Sequence, residues 1–125
     1  MKQLIYEFDP VIYPYNFWVI IDKTPNVISS NFNEYNGNEI TTWENTENLS
    51  AFVMPVRSKV NPKYGVVIYF RSRKSITFEL VAHESSHAVK YLFEHIGANI
   101  KEHEPSEYVI GWLASCIEKI KLNKI

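Results

Sequence analysis

A chain of 125 residues, 46% of them hydrophobic and 14% aromatic, is long enough to bury a core without a disulfide staple and too apolar to be disordered. A formal net charge of -1 excludes a nucleic-acid partner of the broad basic-patch type, and no apolar run reaches the length of a membrane span. The single cysteine, Cys116, has no disulfide partner in the chain, and MKQLIYEFDP has no apolar stretch of the secretory kind, so one soluble cytoplasmic domain over residues 1–125 is expected.

Residues 4–8 and 17–22 are rich in aromatic and β-branched side chains and predict strands, with Pro10 and Pro14 breaking the connection between them. The aromatic residues of this part (Tyr6, Phe8, Tyr13, Tyr15, Phe17 and Trp18) read as core rather than as a contact surface. Residues 24–48 are polar and predict a loop with a short strand or turn, with Asn36-Gly37 as the turn signal. Residues 50–57 and 65–71 predict a hairpin joined by a turn-rich loop. The run GVVIYF lacks polar alternation, which suits a strand covered on both faces. Arg71, Arg73 and Lys74 read as a solvated strand end.

Two helices follow. The first is expected to start near Ser75 or Thr77, whose hydroxyls can cap free amides, and to run to Ile96 before Gly97. Its apolar stripe is Phe78, Leu80, Val81, Ala88, Val89, Leu92 and Ile96. His95 reads as a surface residue. The second is expected to begin at Glu104-Pro105, with Pro105 at the first helical position. It carries Val109, Trp112, Leu113, Cys116, Ile117 and Ile120 on one side, and Lys119, Lys121 and Lys124 toward its C-terminal end. Strands followed by two helices predict a small α+β domain with an antiparallel or mixed sheet.

Inside the first helix stands VAHESSHAV. His83 and His87, four apart, project from one helix face. Two imidazoles so placed can share one zinc ion at about 2.0–2.1 Å. Glu84 lies about 100° around the helix from His83 and is free to act as general base on water activated by the metal. This is the His-Glu-x-x-His pattern of zinc metallopeptidases. A catalytic zinc takes a third protein ligand. The metzincin extension needs a glycine and a histidine where this chain has Lys90 and Phe93. The candidates therefore lie in KEHEPSEYVIGW. Glu104 comes first, Glu107 is its substitute, and His103 is a third option. Tyr108 is a candidate donor to the oxyanion of a tetrahedral intermediate.

VIYPYNFWV, AFVMPV followed by YGVVIYF, VAHESSHAVKYLFEHIG and EPSEYVIGWLASCIEK together span most of the chain. In their order and spacing they resemble small His-Glu-x-x-His proteins of bacteriophages and mobile elements, of a minimal gluzincin type. The resemblance implies a minimal zincin fold, one zinc ion held by His83, His87 and Glu104, Glu84 as base, a peptide or protein substrate, and a phage or plasmid origin. Glu107 departs from the small residue expected in the E-P-x-A-Y stretch and adds a second carboxylate there. Two further expectations compete with a peptidase: a metal-binding module without turnover, and an interaction domain without metal.

Overall fold

The structure, a computed structural model, describes residues 4–41, 43, 46, 48–98 and 103–124, with the side chains of His103 and Glu104 outside the described residues. It is an α+β fold with strands β1 (Ile5–Phe8), β2 (Asn16–Ile21), β3 (Phe32–Glu34), β4 (Ala51–Ser58) and β5 (Tyr64–Phe70). Its helices are α1 (Asn26–Asn31), α2 (Phe78–Ile96) and α3 (His103–Lys121). The strands form one mixed sheet in the order β1-β2-β5-β4-β3. β1 is antiparallel to β2, β4 is antiparallel to both β5 and β3, and β2 runs parallel to β5.

The unbroken apolar run of β5 follows from its central place. Val66, Ile68 and Phe70 face the core beneath α2 and α3, whereas Val67 and Tyr69 face a second cluster with Trp18, Ile28 and Phe32. β2 alternates likewise: Phe17, Val19 and Ile21 lie in the first cluster, Trp18 and Ile20 in the second. The N-terminal aromatics are thus core, with Tyr15, Phe17 and Trp18 buried and Tyr6, Phe8 and Tyr13 packed against the first cluster. Gly65 opposes Asn16 across the parallel pair, and a Cβ there would stand 2.2 Å from the Asn16 carbonyl oxygen.

The polar stretch after β2 holds more than a loop. α1 and β3 both lie in it, and Ile28 anchors α1 by complete burial. Asn-Val-Ile-Ser-Ser-Asn has no helical periodicity and spans less than two turns, so tertiary contact sets its conformation rather than propensity. The Asn36-Gly37 turn is present: Gly37 has φ 94° and its amide donates to the Glu34 carbonyl at 2.8 Å.

α2 starts where Thr77 accepts a hydrogen bond from the Leu80 amide at 3.2 Å, and stops at Gly97 in the left-handed conformation, φ 71°. Val81, Ala88, Val89 and Leu92 are buried, but Phe78 is 92% exposed. Phe78 has the right phase for the stripe yet is the first helical residue, and no element among the described residues covers it. α3 starts earlier than expected, at His103, which leaves Pro105 within the first turn, where amides have no helical acceptor. Leu113, Ile117 and Ile120 are fully buried beneath it, and Cys116 is buried too. At about 1.5–3 kcal/mol for each such side chain, this face holds α3 in place.

Arg73 is not a solvated strand end. Its guanidinium donates to the Ile120 carbonyl and, at 3.3 Å, to that of Lys121, while the Lys121 ammonium donates to the Ile76 carbonyl. These bonds tie the end of α3 to the start of α2 and make the two helices an antiparallel pair. α2 packs over β4 and β5. α3 lies toward β2, where the ring centroids of Trp112 and Phe17 are 5.9 Å apart. No helix among the described residues is long and apolar enough to cross a membrane.

Candidate metal centre

His83, Glu84 and His87 occupy the middle of α2, where caps at both ends fix the helical phase. The two imidazoles meet: Nε2 of His87 lies 3.2 Å from Nε2 of His83, with ring centroids 4.6 Å apart and planes at 81°. Two nitrogens that each bind one tetrahedral zinc at about 2.05 Å stand about 3.3 Å apart. The pair therefore has the spacing a shared ion requires, without a change of helix or rotamer. Both histidines are exposed, which leaves them open to an ion from solvent.

Glu84 differs. It is 5% exposed, and its Oε1 lies 4.0 Å from His83 Nε2. Burial pushes its carboxyl above the usual carboxylate range, partly offset by His83 and His87. A carboxylate desolvated in this way, beside two metal-type ligands, is a stronger base than one in water. The candidate ligand atoms of the three residues all lie within 4.8 Å of one another. They form the metal-type cluster found among the described residues. Two imidazole nitrogens so placed suit zinc and other divalent ions of similar chemistry, with Glu84 beside them. Ser85 is wholly buried behind the site with no partner for its hydroxyl among the described residues, and Ala88 is wholly buried one turn on. Small residues at these places let α2 lie close to the sheet.

The α3 candidates fall differently. Glu107 is exposed and stands outside the cluster. The side chains of Glu104 and His103 lie outside the described residues. Tyr108 is 74% exposed and lines a shallow cleft with Pro10, Ile12, Tyr13 and Trp112, apart from the lining of which stand His83, Glu84 and His87.

The remaining histidine of α2 is exposed, as expected, yet it is held in an aromatic setting. His95 packs against the rings of Tyr15, Tyr64 and Tyr35 at 5.0, 5.3 and 5.7 Å, and its Nδ1 is hydrogen-bonded to the Tyr35 hydroxyl. With His83, His87 and Tyr91 it completes a series spaced four apart along α2. That spacing was the one signal of it in the sequence, since the tyrosines come from other elements. Comparison of the chain with protein-family models, with curated proteins and with solved structures gives no match.

Proposed function

We propose that this chain is a zinc-dependent peptidase of zincin-like build, with His83 and His87 as metal ligands and Glu84 as general base. The observation that carries the reading is the 3.2 Å approach of the two Nε2 atoms beside a buried carboxylate. A zinc ion held there supplies Lewis-acid polarisation of a peptide carbonyl and acidifies water. Glu84 takes the proton of the attacking water and returns it to the leaving amine. The reading places the third ligand on α3, with Glu104 first and Glu107 or His103 as alternatives, and leaves the oxyanion to a donor other than Tyr108, whose cleft His83, Glu84 and His87 do not line. A cytoplasmic, phage- or plasmid-borne protein acting on peptides is part of the same proposal.

The sheet offers such a substrate a place. β3 pairs with β4 from Val56 to Ser58, and among the described residues no strand pairs with the outer edge of β4 from Ala51 to Pro55. A peptide can add there as a further strand, beside α2, which packs over β4.

The test combines metal analysis with digestion. Protein purified without added zinc is expected to carry a divalent metal that His87→Ala loses and Glu84→Gln keeps. A peptide library is expected to be cut by the wild type and at least about a hundredfold more slowly by Glu84→Gln. Metal bound equally by both proteins, with neither cutting any peptide, would replace the peptidase with a metal-binding module.

A further inference from the structure

We propose that the cavity between the C-terminal half of α2 and the Pro55 end of β4 binds the basic side chain of a lysine or arginine in a peptide lying along the open edge of β4. The identity of the bound chain as a substrate rests on the peptidase reading; the cation site itself does not.

The cavity measures ≈ 410 Å³ and is lined by Tyr15, Tyr35, Pro55, Tyr91, Glu94 and His95. That volume lies within the usual range of ligand pockets, about 300–1,000 Å³. Tyr15 is 3% exposed and its hydroxyl has no hydrogen-bond partner among the described residues. The oxygen itself is closed off from solvent, so a guest completes its hydrogen bonding only once the rings lining the cavity part. Burial first, then Tyr35, Tyr91 and Glu94, push the Tyr15 phenol well above its usual range. Of these three only Glu94 is charged at neutral pH, and its carboxylate favours a positive guest.

The lining is complementary to a cation throughout. Tyr15 Oη and the Glu94 carboxylate accept hydrogen bonds, and the tyrosine rings offer π faces. Among the described residues no lysine or arginine lines the cavity. The guanidinium of Arg57 is engaged on the Tyr64 ring, 5.7 Å from its centroid. An anion would face Glu94, and an apolar chain would leave the Tyr15 hydroxyl unsatisfied.

Its position also fits. At about 1.5 Å per residue along α2, Tyr91 and His95 stand roughly 6 and 12 Å beyond His87. An extended peptide rises about 3.3 Å per residue. A basic residue roughly two to four places from the bond held over the histidine pair therefore reaches the cavity.

The experiment is a titration of the full chain with N-acetyl-lysine methylamide and N-acetyl-arginine methylamide, followed by NMR of the tyrosine and histidine rings. N-acetyl-norleucine methylamide is the apolar control. Saturable shifts of Tyr15, Tyr35 and His95 are expected with the two cations and not with norleucine. Glu94→Gln, at an exposed position that folding does not depend on, is expected to weaken binding about tenfold, and Tyr15→Phe is expected to weaken it as well. No saturable shift with either cation, or equal binding of norleucine, would overturn the proposal. These measurements use no turnover. Binding in a protein that cuts no peptide would uphold the cation site while the peptidase reading fails; cutting without cation binding would do the reverse.

Discussion

Adding zinc to metal-free protein is expected to raise its melting temperature, and the size of the rise follows from the site. The two imidazoles already stand 3.2 Å apart, so binding requires no rearrangement of α2. A ligand that binds only the folded state at about a hundred times its Kd stabilises it by about 2.7 kcal/mol. For 125 residues, an unfolding entropy of about 2.1 cal/mol/K per residue gives about 0.26 kcal/mol/K. Zinc at that excess should therefore raise Tm by about 10 °C. The assay is thermal unfolding followed by circular dichroism, in chelator and then in zinc. His83→Ala and His87→Ala are clean perturbations. Both side chains are exposed, outside the core clusters, and substitutions at such places change stability by about 0.5 kcal/mol or less. Each variant should melt in chelator as the wild type does and lose most of the zinc response, whereas Glu84→Gln should keep it. An undiminished rise in the double variant would place the ion elsewhere, and no rise in the wild type would remove the metal centre altogether.

Two further outcomes follow from burial and packing. The Glu84 carboxyl is held above its ordinary value of 4.5 by burial. In metal-free protein the folded state therefore keeps a proton where the unfolded chain has lost it, and stability falls as pH rises from the ordinary value through the folded one. Glu84→Gln removes this penalty, so in chelator the variant should resist urea better than the wild type at about pH 8 and converge with it at about pH 4; an equal difference at both would show that carboxylate burial is not its cause. Gly65→Ala would set a Cβ 2.2 Å from the Asn16 carbonyl oxygen and 2.5 Å from the Trp18 ring. The backbone of a paired strand cannot rotate aside, so the variant should lose about 3 kcal/mol or more in urea unfolding, and a loss under about 1 kcal/mol would contradict the Asn16–Gly65 register.

The histidine pair was legible because everything that places it is local. A hydroxyl cap at Thr77, a left-handed stop at Gly97 and an apolar stripe between them fix the phase of α2, and the four-residue spacing then brings His83 to His87. The same local logic found β5 and its double-sided burial. It failed where the outcome depends on a neighbour. Phe78 has the period of the core and lies outside it. α1 has no period of its own and forms around the buried Ile28. Arg73 looked like a solvated charge until the end of α3 arrived to receive its hydrogen bonds.

The tyrosine cavity lies further still from local pattern. Tyr15 precedes β2, Tyr35 follows β3, Pro55 belongs to β4, and only Tyr91, Glu94 and His95 share a helix. The third metal ligand is a question of the same kind. A helix joined to α2 by a short connection can pack on either flank of it, and α3 takes the flank toward β2, where Phe93 meets Tyr13 and Trp112 meets Phe17. Tyr91 and His95 take the other flank, toward Pro55. From His83 through His87 to His95 the series winds about 40° per step toward that second flank. The two imidazoles stand on the solvent face of α2 between these flanks, so the proposed peptidase draws its third ligand from the α3 side and its peptide from the β4 side.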